Sequence, residues 1–327
     1  MISRLKSIVD NSPVLSGVNY LKGQVSYRLG ARSHLSGATH RELSIDESVS
    51  YIRNVVADYL SYAGVDDEFL QHKRILEVGP GDNLGVALSF LAKGAEKVTC
   101  IDAFSPLSNE AHNDKIYKRL FETFSRIEQA RVESIIAQPN SRSPWVVSNR
   151  LEFHYGLPIE KLFERISTKF DLIVSRAVLE HVARLEKVWG AMVKLLAEDG
   201  HMWHKVDLRH HGLFAQFHPL YFLRIDPRLW RLISSPDPTL NRERLPKYKQ
   251  LAAKHFCGHK MLFTHVLDMP EFIPHKSALR KGVDYGEPEI ELVRQIRPHL
   301  KSAFIEIPDE DLLVTGIFMV CDKKRSQ

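Results

Sequence analysis

The sequence lacks most of the features that mark secreted and membrane-spanning proteins. It has only three cysteines in 327 residues, all far apart, so no disulfide framework is predicted and the reducing cytoplasm is the expected location. No run of about 18 apolar residues occurs, so no transmembrane helix is predicted, and the first residues lack the apolar core of a signal peptide. Because Ile2, Leu5 and Ile8 share one helix face, a peripheral membrane contact stays open beside the simpler interpretation, a frayed terminal helix.

Long blocks of Lys or Arg are also missing. The formal charge of +5 at pH 7 is spread along the chain, so an anionic partner is permitted but a nucleic-acid-binding arm is not indicated. Hydrophobic residues make up 44% of the sequence, which is ample for the core of one or two domains. Charge and composition therefore indicate an ordinary globular protein and do not indicate a nucleic-acid partner.

Short apolar runs alternate with segments of helical spacing from residue 44 onward. A capping box of Ser44 and Glu47 precedes a first helix, and Leu185, Val188 and Met192 repeat with helical period in a later one. Because this alternation needs crossover connections, it predicts a doubly wound α/β fold with a mostly parallel sheet. The predicted strands cover 75–78, 97–102, 150–156, 170–177 and 201–208, and helices lie around 84–91, 116–127 and 185–195.

The alternation breaks after the fifth strand. Prolines interleaved with aromatic residues between 209 and 298 predict an inserted cap. Two strand-like runs, 303–307 and 312–323, then predict a terminal hairpin that completes seven strands. The predicted organisation is a helical lead-in or lid over 1–72, an α/β core over 73–207, an acceptor-binding cap over 208–300, and closing strands with a tail over 301–327.

The most informative segment reads ILEVGPGDN. Gly79 and Gly81 at the end of the first strand let a ligand approach the backbone, and the following helix start offers amide donors to an anionic group. A dinucleotide fingerprint would need a third glycine where Leu84 stands, so nicotinamide and flavin cofactors are disfavoured. Instead, the acid Glu77 precedes the glycines, and Asp102 ends the second strand, where a carboxylate can accept both ribose hydroxyls.

Five segments in order, ILEVGPGDN, CIDAF, FDLIVSRAVLEHV, LLAEDG and the closing LLVTGIFMV, resemble those of the class I S-adenosylmethionine-dependent methyltransferases. The resemblance implies a seven-stranded Rossmann-like sheet and S-adenosyl-L-methionine as the methyl donor. In that family the glycine loop cradles the amino-acid end of the donor, and the acid of strand two holds the ribose. The residues implied to bind the donor are Glu77, Gly79, Pro80, Gly81, Asn83, Asp102, Ala103, Gly156, Leu157 and Ser175.

Two features of the resemblance are particular to this chain. Many family members hold the adenine with an Asp after strand three, whereas Tyr155, Gly156 and Leu157 stand here, so backbone amides are expected to read the base. The stretches YIRNVVADYL, HKVDLRHHG and NRERL are similar to uncharacterised bacterial methyltransferase-domain proteins associated with surface-polysaccharide pathways. This second likeness favours a sugar or glycolipid as the acceptor.

Methyl transfer from a sulfonium is an in-line displacement that needs alignment and exclusion of water, and no metal. If the acceptor is a hydroxyl, a base must take its proton, and histidine suits this task at neutral pH. His181 follows strand four, and Asp207 with His211 or His204 follows strand five. The Asp207 pair is the preferred acid/base set; the alternative is that these residues tie the cap to the sheet.

Missing motifs narrow the choice of acceptor. The letters SRA at 175–177 stand where amino-group DNA methyltransferases have Asn or Asp before Pro-Pro-aromatic. The stretch HFCGH at 255–259 has no second ligand pair at zinc spacing, so no metal is predicted. The sequence therefore predicts methyl transfer to a hydroxyl of a sugar, glycolipid or other small molecule. The alternatives are an RNA or protein methyltransferase, or a donor-binding module without turnover.

Overall fold

The computed structural model describes residues 39–103, 109–135, 149–210, 217–233 and 241–323. The segment with Ile2, Leu5 and Ile8 lies outside these described residues, and so does the candidate base His211. The described strands are β1 Arg74–Val78, β2 Lys97–Asp102, β3 Leu151–Tyr155, β4 Phe170–Arg176, β5 Leu196–Asp207, β6 Phe256–Val266 and β7 Val314–Lys323.

These strands form one seven-stranded sheet in the order β3-β2-β1-β4-β5-β7-β6. The strands β1 to β5 pair in parallel, whereas β7 runs antiparallel to both β5 and β6. The strand order reverses at β1, since β2 and β3 lie on one side of it and β4 on the other. This is the predicted doubly wound, mostly parallel Rossmann-like sheet, and the prediction is confirmed.

Helices cover both faces of the sheet. They are α1 Thr39–Glu42, α2 Ile45–Ala63, α3 Gly85–Ala92, α4 Glu110–Glu122, α5 Arg126–Glu133, α6 Ile159–Arg165, α7 Leu185–Leu195, α8 Pro227–Ile233, α9 Leu245–His255, α10 Glu287–Ile296, α11 Ser302–Ile305 and α12 Asp309–Leu313, with short 3-10 helices at Asp67–Leu70, Tyr221–Arg224 and Arg297–His299. None of the helices in these ranges is both long and apolar enough to span a bilayer.

Apolar side chains alternate between the two faces of the strands, as strand geometry requires. Ile75 and Leu172 pack with α2, α3, α4 and α5 in one buried cluster. Leu76 and Ile173 pack with α6, α7 and α9 in a second cluster on the opposite face. Buried side chains from 217–233 and 266–313, among them Trp230, form a third cluster. The sheet is therefore buried on both faces, which explains its nearly continuous apolar strands.

The first long helix begins where the sequence predicts. The Glu47 N–H donates to the Ser44 side chain, and the Glu47 carboxylate accepts from the Ser44 N–H, which completes the predicted capping box. At the other end, Gly64 adopts φ 77° and terminates α2. The helix buries Ile52 and Tyr59 against the sheet.

The predicted antiparallel pair at the C-terminal end is present, but its first strand is not where the sequence predicts it. Residues 303–307 do not form a strand and include most of the short helix α11, whereas β7 pairs antiparallel with β6 and β5. The strand β6 lies within 208–300, so the stretch predicted as a cap also supplies an outer strand of the sheet. Its sequence FCGHKMLFTHV contains several polar residues, as an edge strand can. Because prolines follow it closely, the sequence around it indicates irregular structure rather than a strand.

The helix predicted around 116–127 is two helices. The first ends at Glu122, and the second begins after Ser125, whose side chain accepts from the Glu128 N–H while the Glu128 carboxylate accepts from the Ser125 N–H. The apolar spacing continues across this break, which hides it from periodicity alone. The Ser-x-x-Glu signal of a capping box at 125–128 marks it.

Candidate functional site

A cavity of about 420 Å³ opens at the carboxyl ends of β1, β2 and β4. This volume lies within the range of roughly 300–1,000 Å³ typical of small-molecule sites, and the position beside the reversal of strand order is where such sheets bind ligands. The wall consists of 78–82, 101–103, 157–160, 176–178, 181–183, Val188 and, from the N-terminal helices, Thr39, His40 and Tyr51.

The glycine loop after β1 forms one side of this cavity. Gly79 and Gly81 have φ angles of 76° and 70°, in the left-handed region that favours glycine. A Cβ atom added at Gly79 would lie 2.3 Å from Cγ2 of Val178, which follows β4. The glycine at 79 is therefore required both by the backbone conformation and by the close approach of the loop after β4.

Two asparagines hold the loop from below. The Asn83 amide oxygen accepts from the Gly85 N–H at 2.7 Å, and its Nδ2 donates to Oδ1 of Asn113 at 2.9 Å. Nδ2 of Asn113 in turn donates to the carbonyl of Asp82 at 2.6 Å. Asn83 is buried and lies behind the cavity wall. It therefore supports the loop and the start of α3 and does not line the space where the donor was predicted to bind.

Two tyrosines fix the loop at its ends. The Tyr155 hydroxyl donates to the carbonyl of Gly81 at 3.2 Å. The Leu84 N–H donates to the Tyr117 hydroxyl at 3.0 Å. Sequence reasoning missed the supporting roles of Asn113, Tyr117 and Tyr155, because they come from α4 and β3 and carry no local signal.

Asp82 joins the glycine loop to the N-terminal helix α1. Its Oδ1 accepts from the His40 N–H at 3.2 Å, and its Oδ2 accepts from the Arg41 N–H at 3.0 Å. His112 on α4 contacts the His40 carbonyl through Nε2 at 3.1 Å. The His40 side chain is only 5% exposed, and burial lowers its pKa, opposed by the nearby Asp82 carboxylate. These contacts place His40 over the cavity.

Glu77 does not line the cavity. Its buried carboxylate accepts a hydrogen bond from Sγ of Cys100 at 3.5 Å, on the face of the sheet covered by α2 to α5. Burial raises the pKa of Glu77 to about 7. Because Glu77 is not on the cavity wall, its predicted contact with the donor stays a prediction.

The ribose and adenine residues predicted from the sequence do lie together. Asp102, Ala103 and Leu157 form adjacent parts of the cavity wall. The Leu157 N–H donates to the Asp102 carbonyl at 3.0 Å, and Gly156 turns the chain after β3 with φ 71°. Pro80, between the two loop glycines, is on the wall as well.

Ser175 and His204 are 0% exposed and contact each other inside the sheet. The Ser175 hydroxyl lies 2.7 Å from Nδ1 of His204, and burial lowers the pKa of His204 to about 3. Neither residue reaches the cavity wall. The predicted roles of Ser175 in donor binding and of His204 as a base therefore find no exposed surface here and stay predictions.

Asp207 is paired with Arg209 within the part of the chain that the structure describes. The Arg209 guanidinium donates to its two carboxylate oxygens, from Nε to Oδ1 at 3.0 Å and from Nη2 to Oδ2 at 2.7 Å. Asp207 is not on the cavity wall. The predicted pair with His204 does not form, and the pair with His211 lies outside the described residues.

His181 is the predicted base that lines the cavity. Its loop is clamped by Asn241, which lies within the predicted cap in sequence but reaches back to the loop after β4. Nδ2 of Asn241 donates to the carbonyls of Leu179 at 2.7 Å and Val182 at 3.2 Å. The Asn241 N–H donates to the Glu180 carbonyl at 2.7 Å. Sequence reasoning did not find this clamp, because a single Asn in a long irregular segment carries no motif.

Glu180, next to His181, faces away from the cavity into the protein. Its Oε1 accepts from the Asp207 N–H at 3.1 Å, which ties the loop after β4 to the end of β5. Burial raises the pKa of Glu180 to about 8. Within the described ranges, no group of three or more His, Cys, Asp or Glu side chains is arranged to hold a metal ion.

Comparison with known proteins identifies the family. The profile of a family described as "Methyltransferase domain" matches residues 49–254, and no curated protein matches the chain in sequence. Similar solved structures include phosphoethanolamine N-methyltransferase 2 from Haemonchus contortus in complex with S-adenosyl-L-methionine (13% identity, TM-score 0.41, 84% of this chain and 53% of that one). This chain thus spans about half the length of that enzyme.

Two others are more similar in length. The plantazolicin methyltransferase BamL, in complex with a substrate analog and SAH, is 13% identical with a TM-score of 0.41, over 98% of this chain and 99% of that one. A cyclopropane-fatty-acyl-phospholipid synthase-like protein from Lactobacillus casei is 15% identical with a TM-score of 0.42, over 84% of this chain and 92% of that one. Since the family profile covers well over half of its length, the chain belongs to the methyltransferase domain family.

Proposed function

We propose that this protein transfers the methyl group of S-adenosyl-L-methionine to a hydroxyl of a sugar, glycolipid or other small molecule, with His181 as the general base. The observation that carries the proposal is that Gly79, Gly81, Asp102 and His181 lie on the wall of one cavity. The donor-binding residues and a candidate base thus meet, although 102 residues separate Gly79 from His181 in sequence (181 − 79 = 102).

The donor half of the cavity fits a molecule with an amino-acid end and a ribose. Gly79 and Gly81 carry no side chain that would keep a ligand from the backbone of the loop, and the Asp102 carboxylate is suited to accept hydrogen bonds from two ribose hydroxyls. Bound there, the donor would supply an electrophilic methyl group on a sulfonium. Leu157 and Ala103 offer apolar and backbone surface for an adenine.

The acceptor half contains the base. A hydroxyl becomes a competent nucleophile as its proton is removed, and an imidazole is matched to that task near neutral pH. His181 is the one base candidate from the sequence that the described residues place on the wall. Its backbone is fixed on both sides by Asn241, which favours a constant position relative to the donor.

Calorimetric titration with S-adenosyl-L-methionine is the first test, with Asp102→Ala as the comparison. We expect the wild-type protein to bind and the variant to lose at least about tenfold in affinity, since hydrogen bonds to a charged group are lost. A folded wild-type protein that does not bind would refute the proposed function.

The second test concerns His181. His181→Asn should keep donor binding while losing turnover by roughly 10²–10⁴-fold, measured as S-adenosylhomocysteine release in the presence of a panel of sugars and small hydroxyl compounds. His259→Gln is the matched control, because His259 is exposed on the edge strand β6. Equal turnover in the wild type and His181→Asn would remove His181 from the reaction.

A further inference from the structure

One arginine on the cavity wall has unused hydrogen-bonding capacity. Arg176 is the last residue of β4, and its side chain is 21% exposed. Nη1 donates to Oδ2 of Asp58 on α2 at 2.6 Å, and the guanidinium carbon lies 5.7 Å from the centre of the Tyr51 ring. A guanidinium has five N–H donors, and within the described residues Asp58 is its only hydrogen-bond partner. Its remaining donors are available to a ligand.

The charges on the wall make this arginine distinctive. Among the charged side chains that line the described part of the cavity, Asp82, Asp102 and Glu160 are acids, and Arg176 alone is permanently cationic. Both oxygens of Asp82 already accept from backbone N–H groups. An acidic group on a bound ligand therefore has one charged partner of opposite sign on this wall.

Arg176 lies beside the glycine loop, on the side away from Asp102. Asp102 ends β2, the glycine loop follows β1, and β4 lies on the far side of β1. Arg176 is in register with Lys205 of β5, one strand farther along. Lys205 lies 3.5 Å from the Asp58 carboxylate and also contacts Glu271. Asp58 thus fixes one side of the Arg176 fork, and Arg176 lines the same cavity as His181, the proposed base.

From this geometry we infer that Arg176 recognises an acidic group, a carboxylate or a phosphate, on the methyl acceptor. The inference rests on the proposed function and deepens it, because it narrows the acceptor to hydroxyl compounds that carry a negative charge. A guanidinium that is held by one carboxylate and faces an aromatic ring is pre-oriented, so little side-chain entropy is lost when it binds a planar or tetrahedral anion.

The test uses the full-length protein saturated with S-adenosylhomocysteine. The probes are glucose, glucuronate, glucose 6-phosphate and inorganic phosphate, with dissociation constants measured by calorimetry or ligand-detected NMR. We expect at least one anionic probe to bind about 10- to 100-fold more tightly than glucose, because charge-assisted hydrogen bonds are stronger than neutral ones. Arg176→Gln should remove this preference, and Arg176→Lys should retain part of it. Whether glucuronate or glucose 6-phosphate binds more tightly distinguishes a carboxylate from a phosphate acceptor.

Arg74→Gln is the matched control. Arg74 also pairs with one aspartate, Asp171 at 3.5 Å, but at the opposite end of the strands, so its loss should leave the preference unchanged. Folding of Arg176→Gln is checked by thermal unfolding, and Lys205 remains beside Asp58 in that variant.

Three results would overturn the inference. They are anions that bind no more tightly than glucose or not at all, an unchanged preference in Arg176→Gln, and a loss of S-adenosylhomocysteine affinity in that variant that accounts for its whole effect. The last result would assign Arg176 to the donor. Failure of the wild type to bind S-adenosylhomocysteine would instead refute the proposed function, and this inference with it.

Discussion

The two halves of the cavity are built in different ways. The donor half, around Gly79, Gly81 and Asp102, is formed by residues at the ends of two neighbouring parallel strands. Its supports, such as Asn113, come from the helix that follows β2. The donor loop also has long-range contacts, to His40 and Tyr155, 42 and 74 residues away, whereas the acceptor half relies on such contacts for both of its candidate groups. Arg176 is bound to Asp58, 118 residues away, and Asn241 holds the loop of His181 from 59 to 62 residues away.

This difference has a physical origin. The donor half must bind one constant molecule, so a short loop with fixed backbone conformation and a few following residues suffices. The acceptor half lies at the end of β4, where α2 and the loop at Asn241 meet it. Each of these contacts forms only when two segments that are distant in sequence fold together. Substitutions in the glycine loop should therefore reduce donor binding, whereas substitutions that remove the long-range contacts of Arg176 and Asn241 should reduce binding or turnover of the acceptor.

The largest effect is expected from Gly79→Ala. An alanine at this position would have to adopt a left-handed backbone conformation, and its methyl group would lie 2.3 Å from Val178. The loop or the segment after β4 must therefore move. We expect a loss of roughly 2–5 kcal/mol in the free energy of unfolding and no measurable binding of S-adenosyl-L-methionine. Urea unfolding and calorimetry measure the two quantities.

Gly190→Ala is the control for this prediction. Gly190 lies within α7, and a Cβ added there would meet nothing within 4 Å. Because alanine favours helix, this variant should be more stable by up to about 1 kcal/mol. Donor binding by Gly79→Ala at wild-type affinity would contradict the view that the loop geometry defines the donor half.

A pair of asparagine variants tests whether the halves are separable. Asn113→Ala removes hydrogen bonds to Asp82 and Asn83 below the glycine loop. Asn241→Ala removes those to Leu179 and Val182 around His181. Each loses at least two hydrogen bonds, so both should be less stable by about 1–3 kcal/mol.

Their functional effects should differ although their stabilities match. Asn113→Ala should weaken donor binding by about tenfold, whereas Asn241→Ala should bind the donor normally and lose turnover because His181 is no longer fixed. The measurements are donor affinity by calorimetry and turnover with an acceptor found in the sugar panel. Equal loss of donor affinity in both variants would show that the halves act as one unit.

The sequence predicts that the glycine loop and Asp102 meet at one cavity, but it does not predict that Glu77, Asn83 and Ser175 lie off its wall. The run ILEVGPGDN and the acid at 102 predict both the strands and the cavity they form. It does not predict which way Ser175 and His204 face, because both faces of this sheet are buried and alternation of polarity gives no signal. The sequence also does not predict that β6 joins the sheet or that Asn241 contacts the loop after β4, because both depend on tertiary contacts.

Two buried carboxyl groups, one near each half, should make the stability of the protein depend on pH. Burial raises the pKa of Glu77, beneath the donor loop, to about 7, and that of Glu180, beside the acceptor loop, to about 8, from a usual value of 4.5. Above pH 4.5 the unfolded chain releases these protons while the folded protein keeps them. Each group therefore lowers stability progressively as pH rises from 4.5 to its folded pKa, and the loss is complete above it.

Glutamine variants should show separately the pH range over which each carboxyl group lowers stability. Glu77→Gln should be more stable than the wild type at pH 8 by a few kcal/mol, with a difference that grows between about pH 4.5 and 7. Glu180→Gln should show a difference that grows up to about pH 8, and its amide oxygen can still accept from the Asp207 N–H. Urea unfolding at several pH values tests this. A difference that does not change with pH would show that the carboxyl groups are ionised in the folded protein.

The smallest effect is expected from the two helix caps. Ser44→Ala and Ser125→Ala each remove a side chain that accepts from a backbone N–H at the start of a helix, so each should lose about 1 kcal/mol of stability.

The helix after Ser44 carries Tyr51 to the cavity wall, whereas α5, after Ser125, contributes no residue to it. Tyr51 lies about two turns beyond the cap, and frayed ends affect mainly the first turn. We therefore expect donor affinity to change less than about twofold in Ser44→Ala and not at all in Ser125→Ala, as calorimetry can measure. A larger change in Ser44→Ala would show that the wall formed by α2 depends on its first turn, and that the N-terminal helices belong to the donor half as much as the glycine loop does.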